Sequence, residues 1–482
     1  MNYGIVIKVM GNLLVLESLM MTPSLLISIF SREDDYIAFI VSIAITALVG
    51  FFISRPKVKN TKIKVKEGLA IVAYGWIFSS FFAALPFVIS GSIPSFLDAL
   101  FETISGFTTT GATIINDIEV LPRGILFWRS LTHWMGGMGI LVFTVAIIPT
   151  LGVGGFQVFK AESPGPISDK IAPRIKNTAK ILYKTYIAIT LLEIMFLIFG
   201  GMSLYEASIH TFGTVGTGGF STRNSSIGAF DSTYIHIVIS VFMILSGVNF
   251  SLYFALYRRK WKDLLKNEEL RFYLGVVASA TILIGLNLYL NTDNTLGISF
   301  RDSLFQSSSI LTTTGYGTAN FDKWPTFSKS ILFILMFIGG CAGSTGGAIK
   351  NIRILLLLKM IKREIAKIFH PRAVVPIKLG KKVVAEETIL SITSFFILYI
   401  TLFVGGTIIV STQGIDLESS ASAVAATLGN VGPGFGFVGP TQNYSEFNNF
   451  IKLFLSLLMI LGRLELFTII ALVAPKSWKN EI

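Results

Sequence analysis

The chain has 482 residues, of which 52% are hydrophobic and 14% charged, roughly half the charged share of an ordinary soluble domain. That composition excludes a water-soluble globule and marks an integral membrane protein of the helical class, because its apolar runs are far longer than barrel strands. The net charge of +12 comes from Lys and Arg gathered in particular loops, which is the positive-inside pattern and not a nucleic-acid footprint.

Taken in order, residues 5–30 predict a first membrane helix carrying Glu17 and Pro23. Without a strongly basic start or an A-x-A-type cleavage site, it reads as retained and not as a signal peptide. A second helix, Tyr36–Ser54, returns to a cationic loop from Arg55 to Lys66 that marks the cytoplasmic side. These two extra helices (residues 1–60) precede a unit that the chain repeats four times, over 61–178, 179–265, 266–385 and 386–482. Each unit reads membrane helix, short re-entrant helix, Gly-rich strand, membrane helix.

In the first unit the helices are Gly68–Ser90, Ser95–Phe107 and Phe127–Ile148, the last carrying His133, Trp134, Gly136, Gly137 and Gly139 as packing residues. A basic loop with Lys160, Lys170 and Arg174 follows. The second unit uses Ile181–Gly200, Leu204–Thr214 and Tyr234–Tyr257. The third uses Phe272–Leu290, Phe300–Leu311 and a long segment from Pro325, and the fourth Ile389–Val410, Leu417–Leu428 and Phe447–Val473. Acids in the outer loops (Asp117, Glu119, Asp231, Asp293, Glu446) and Lys/Arg runs in the inner ones agree on one topology. It is an all-α polytopic protein with ten membrane helices, four re-entrant half-helices in pseudo-fourfold symmetry around one pore, and both termini inside. Re-entrant backbone at membrane depth has to line a cavity or be buried in protein.

The strands carry the chemistry. Thr312-Thr313-Thr314-Gly315-Tyr316-Gly317 is a poor helix and a poor strand, and its glycines let successive carbonyls point one way. Three stretches follow the same plan: Thr108-Thr109-Thr110-Gly111-Ala112, Val215-Gly216-Thr217-Gly218-Gly219-Phe220 and Gly429-Asn430-Val431-Gly432-Pro433-Gly434. An acid stands 13 residues before Gly111 (Asp98), Gly219 (Glu206) and Gly315 (Asp302), and 14 before Gly432 (Glu418). The acids suit helix N-termini, which leaves the negative ends of four helix dipoles facing the glycines, where a cation is favoured. Backbone oxygens of Thr110, Gly111, Gly218, Gly219, Thr314, Gly315, Val431 and Gly432 are therefore the candidate ligands of a dehydrated cation.

Two features belong to one unit each. Gly339-Gly340-Cys341-Ala342-Gly343-Ser344-Thr345-Gly346-Gly347 interrupts the second helix of the third unit, and each glycine costs a helix about 1 kcal/mol relative to alanine. Gly340, Gly343, Ser344, Thr345, Gly346 and Gly347 thus read as a flexible loop obstructing a pore beneath the strand, with a tight helix–helix contact as the alternative. Arg463 lies well inside an apolar helix and costs at least ~2.5 kcal/mol there unless it meets a cavity or partner. It would either repel a permeant cation or pin an acidic group near the gate; a structural pair with another helix's carboxylate is the alternative. Glu465, two positions on, points to another side. Gly434-Phe435-Gly436-Phe437-Val438-Gly439 matches GxGxxG, but Pro440 follows and no βαβ unit surrounds it, so it is no dinucleotide site. Cys341 is the single cysteine, so no intrachain disulfide forms, and the four histidines show no metal-ligand spacing.

On these strands, the GGCAGSTGG break and Arg463, the whole chain resembles the superfamily of Trk, Ktr and HKT potassium transporters. The two extra N-terminal helices resemble the Trk branch, the membrane subunits of bacterial Trk uptake systems, and not the Ktr branch. The resemblance implies potassium as permeant ion across the bacterial inner membrane, no nucleotide bound by this chain, and no enzyme activity. It also implies a homodimer with one pore per protomer, a gate formed by the broken-helix loop, and a cytosolic ring of nucleotide-binding, TrkA-like regulatory subunits docking on the basic inner loops. Glycine at all four positions (Gly111, Gly219, Gly315, Gly432) resembles the potassium-selective pattern, whereas Pro433 departs from it. A broken-helix secondary carrier for a monovalent cation coupled to H+ or Na+ is the rival. Such carriers usually pair two inverted repeats, while here every unit runs inside to outside.

Overall fold

Apolar runs in lipid fold as helices because no water is there to satisfy the backbone. The computed structural model of this chain describes residues 2–55, 63–139, 175–259, 261–380, 382–464 and 466–467. In chain order the helices are α1 (Tyr3–Met20), α2 (Thr22–Ser31), α3 (Tyr36–Ser54), α4 (Val65–Ala83), α5 (Leu85–Ile89), α6 (Phe96–Phe107) and α7 (Arg123–Gly137). They continue with α8 (Ile175–Phe199), α9 (Leu204–Gly216), α10 (Thr233–Ser246), α11 (Phe250–Tyr257), α12 (Trp261–Leu265) and α13 (Glu268–Asn291). The last are α14 (Leu296–Leu311), α15 (Thr326–Ile338), α16 (Asn351–Phe369), α17 (Glu386–Ser411), α18 (Leu417–Leu428) and α19 (Asn449–Arg463). Strand is confined, among the described residues, to β1 (Lys378–Leu379) paired antiparallel with β2 (Lys382–Val383).

Six helices among the described residues are long and apolar enough to cross a membrane: the α1–α2 run, α3, the α4–α5 run, α8, α13 and α17. Their outer faces expose Ile40, Leu48, Leu191, Phe199, Leu283 and Ile397, which in lipid is the solvated state. Inside, Trp76, Phe87, Phe101, Phe107 and Trp128 are buried together. The four short helices α6, α9, α14 and α18 lie within this shell, and the Gly-rich strands follow their C-terminal ends.

The second unit corrects the expectation of an unbroken second helix. The helix expected over Tyr234–Tyr257 is two, α10 and α11, bent by 93°. Gly247 stands at the bend, where a Cβ would collide with the Tyr273 hydroxyl, and Asn249 caps α11 by accepting from the Ser251 N–H at 2.9 Å. In the third unit the chain is non-helical between Ile338 and Asn351, as the glycine run predicts. The helix break is therefore not confined to the third unit. In the first and fourth units α7 ends at Gly137 and α19 at Arg463. The continuations expected to Ile148 and Val473 fall, from residues 140 and 468 on, outside the described residues. One boundary also shifts: α14 starts at Leu296, capped by Thr295, four residues before the expected Phe300, so Asp302 sits in its second turn.

Candidate functional site

Each short helix ends in the same way. Thr110 N–H reaches back to Ser105 O at 2.9 Å, Gly218 to Gly213 at 2.8 Å, Thr314 to Ser309 at 2.8 Å and Val431 to Ala426 at 2.7 Å. These are bonds of the Schellman type, which require a left-handed residue just past the helix. Thr109 (φ 53°), Thr217 (57°), Thr313 (59°) and Asn430 (54°) supply it. For threonine that conformation is strained, and such strain persists only where the surroundings enforce it. Two residues on, Gly111, Gly219, Gly315 and Gly432 again have positive φ, between 77° and 97°.

The four strands close a ring. A Cβ on Gly111 would overlap the carbonyl oxygen of Gly218, one on Gly219 that of Thr314, one on Gly315 that of Val431, and one on Gly432 that of Thr110. Each glycine therefore lies against the oxygen of the next strand, in the order first, second, third, fourth, first. Of the eight predicted ligand residues, Thr110, Gly218, Thr314 and Val431 bring these oxygens together, and Gly111, Gly219, Gly315 and Gly432 make the room. Gly432 O also accepts the Tyr444 hydroxyl at 2.7 Å, an engagement that sets the fourth strand apart. A ring of carbonyls at the negative ends of four helices is the arrangement that replaces the water shell of an alkali cation. Gly111, Gly219, Gly315 and Gly432 open outward into a cavity of about 130 Å³ rimmed by Asn116, Asn224, Asn443 and Arg129.

A second fourfold relationship lies behind the outer ends of the strands, and three of its four members bond them. Glu102, His210 and Gln306 stand nine residues before Gly111, Gly219 and Gly315, and Ser422 ten before Gly432 in the longer fourth unit. All four are buried, and each reaches toward the residues two or three beyond its glycine. Glu102 accepts the Thr113 hydroxyl at 2.9 Å and Ile114 N–H at 3.0 Å. His210 Nδ1 lies 2.8 Å from Glu206 O, a carbonyl that can only accept, so Nδ1 carries the proton and Nε2 accepts the Ser221 hydroxyl at 3.0 Å. Ser422 accepts Phe435 N–H at 2.9 Å. Gln306 faces Gly317, and Tyr316 anchors that strand by donating its hydroxyl to His210 O (3.0 Å) and Phe220 O (3.1 Å). The sequence signal for this set is its spacing from the glycines, nine residues in three units and ten in the fourth.

The Gly-rich loop of the third unit lies directly beneath the ring. Gly347 N–H donates to the Thr313 hydroxyl at 2.7 Å, and a Cβ on Gly346 would lie 2.8 Å from Thr312 O. The bend of the second unit cradles the rest. Cys341 N–H donates to Gly247 O at 2.8 Å, Phe250 N–H to Gly343 O at 3.0 Å, and the Thr345 hydroxyl to Ser246 O at 3.2 Å. Gly340 O accepts Asn351 N–H at 3.0 Å, and the Ser344 hydroxyl donates to Cys341 O at 2.6 Å.

Arg463 donates to Thr345 O at 2.6 Å, Gly136 O at 2.7 Å and Gly137 O at 3.0 Å. It thus ties the loop to the C-terminal end of α7, where orphan carbonyls favour a cation. Repulsion of a permeant cation, an acidic group pinned near the gate and a structural carboxylate pair were the expectations for Arg463; the contacts described are with one carbonyl of the loop and two of α7, and Glu465 lies outside the described residues. Lys350, which the sequence did not single out, is buried with φ 81° and donates to Gly346 O. The space among Gly346, Gly347, Lys350, Arg353 and Arg463 is only about 10 Å³, no more than one water molecule needs. No group of three or more His, Cys, Asp or Glu side chains able to hold a metal occurs among the described residues.

This geometry has relatives. The family model for TrkH, a cation transport protein, matches residues 32–480. The chain is 38% identical to the Trk system potassium uptake protein TrkH of Halomonas elongata over 484 residues, and 38% identical to that of Escherichia coli K12 over 485, each covering 100% of both chains. It is 35% identical to TrkG of E. coli K12 over 99% of both. Among solved structures, the potassium transporter TrkH from Vibrio parahaemolyticus superposes with a TM-score of 0.89 at 36% identity, covering 99% of this chain and 100% of that one. Motif, fold and full-length similarity agree: this multi-pass membrane protein belongs to the TrkH family of cation transport proteins.

Proposed function

We propose that the chain takes up potassium across the bacterial inner membrane through the ring formed by the carbonyls of Thr110, Gly218, Thr314 and Val431, with Gly111, Gly219, Gly315 and Gly432 keeping their neighbours' oxygens at the axis. The observation that carries this reading is the cyclic closure of the four strands, each glycine against the next strand's oxygen. Four helix C-termini supply a potential favourable to a cation, and the oxygens replace its hydration shell. The loop Gly339–Gly347 is the gate, held shut under the ring by Arg463 through Thr345 and by Lys350 through Gly346.

The reading extends to assembly. The chain works as a homodimer with one pore per protomer, governed by a cytosolic, nucleotide-binding, TrkA-like subunit on the basic inner face. Support for the dimer is the stripe Leu358, Ile361, Ile365 and Ile368 on α16, at least half exposed and spaced along one helix face. The test is potassium-limited growth of a host lacking its own uptake systems, with and without the regulatory subunit. Growth rescued by this chain, and strengthened by that subunit, is the expected result. No rescue in either case rejects the potassium assignment.

A further inference from the structure

The boundary between the first and second strands is spanned by charge. Arg129, on α7, places Nε 2.6 Å from Glu102 Oε1, and both side chains are almost fully excluded from solvent, at 2% and 0% exposure. Glu102 holds the first strand through Thr113 and Ile114. Arg129 holds the second, donating from Nη1 to Ser221 O at 3.3 Å and lying with its guanidinium carbon 3.5 Å from the Phe220 ring centre. The same arginine lines the cavity over the ring. Neutral groups span two of the other boundaries, Tyr316 to Phe220 O between the second and third strands and Asn430 to Thr110 between the fourth and first, while the part-exposed Asp322 accepts Gly436 N–H between the third and fourth.

We propose that Glu102 and Arg129 are positioning residues that set the separation of the first two strands, so that ion discrimination in this chain depends on a buried ion pair outside the filter sequence. The inference rests on the filter reading above and deepens it. A buried pair resists displacement more than a neutral hydrogen bond does, because each charge left alone in a low-dielectric site is costly. It thus fixes two strands at a set distance where Gly218 O must lie against Gly111 without a Cβ to brace it. Glu102 has a second task. It neutralises a guanidinium that borders the path of an incoming cation, and without it that charge would repel the ion.

The two tasks separate in experiment. Uptake of radiolabelled rubidium and sodium is measured in uptake-deficient cells carrying the full-length chain with its regulatory subunit, comparing E102Q, E102Q/R129Q, T113V and, as control, G315S. In E102Q, total flux falls about tenfold, since a bare positive charge stands at the mouth, and the rubidium-to-sodium ratio falls about threefold. The neutral, near-isosteric double variant recovers flux to within about twofold yet keeps the lowered ratio, a split that a purely structural role would not produce. T113V, which removes the hydroxyl that donates to Glu102 and accepts Ile115 N–H and leaves both charges in place, lowers the ratio in the same direction. If the charge variants fail to accumulate, T113V decides alone. A wild-type ratio in the double variant or in T113V, with G315S impaired, overturns the positioning role. An unchanged ratio in G315S would instead reject the filter reading itself.

Discussion

The side-chain amide of Asn430 donates to the Thr110 hydroxyl at 3.0 Å, joining the last strand of the ring to the first across 320 residues of chain. The same amide donates to Met459 O at 2.9 Å. Asn430 also holds the left-handed cap position, which asparagine tolerates better than alanine does. N430A leaves two buried acceptors without this donor and is expected to cost about 2–4 kcal/mol, seen as a lowered melting temperature of the purified protein in detergent. An unchanged melting temperature would mean that the ring closes without this tie.

Serine at Gly315 or Gly111 forces a Cβ onto the carbonyl of Val431 or Gly218 at a φ that L-residues disfavour. The displaced oxygen no longer matches a dehydrated potassium ion. The potassium-to-sodium permeability ratio should drop by about tenfold, which corresponds to ~1.4 kcal/mol, while the protein still accumulates in the membrane. Flux assays returning the wild-type ratio for both variants would reject the carbonyl ring as the site of discrimination.

Removal of Gly340–Gly347, or R463Q, frees the space beneath the ring. Arg463 bonds three carbonyls, of Thr345, Gly136 and Gly137, and glutamine cannot span them. Both changes should raise unstimulated potassium flux several-fold, and R463K, with a single donor centre, should lie between. Equal flux in all four proteins would remove the loop from gating.

All four acids that mark the units are paired: Asp98 with Lys452 (2.7 Å), Glu206 with Arg223 (2.7 Å), Asp302 with Arg301 (2.8 Å) and Glu418 with Lys329 (2.7 Å). Burial ranks them. Lys452 is 7% exposed and Arg223 42%, so K452M should destabilise by about 2–4 kcal/mol and R223M by under ~1 kcal/mol. Thermal unfolding of the two variants checks the order, and D98K/K452D should recover part of the first loss. A larger loss in R223M would contradict the ranking.

Sequence alone determined the class, the fourfold repeat and the identity of the glycines at the ring. Hydropathy is a property of each segment by itself, and Gly111, Gly219, Gly315 and Gly432 stand 13 or 14 residues after an acid in the first or second turn of a short helix. The Gly339–Gly347 break was legible for the same reason, since helix propensity is local. Tertiary structure decided the rest. That α10 and α11 part at Gly247, that Arg463 meets carbonyls of the loop and of α7, and that Glu102 faces Arg129 depend on which elements pack together. One glycine or one charge inside an apolar helix does not say which neighbour it serves. The ring itself sits between these cases: its glycines are local, but its closure requires Thr110 to lie against Gly432. Only the packing of four units around a common axis brings those ends together.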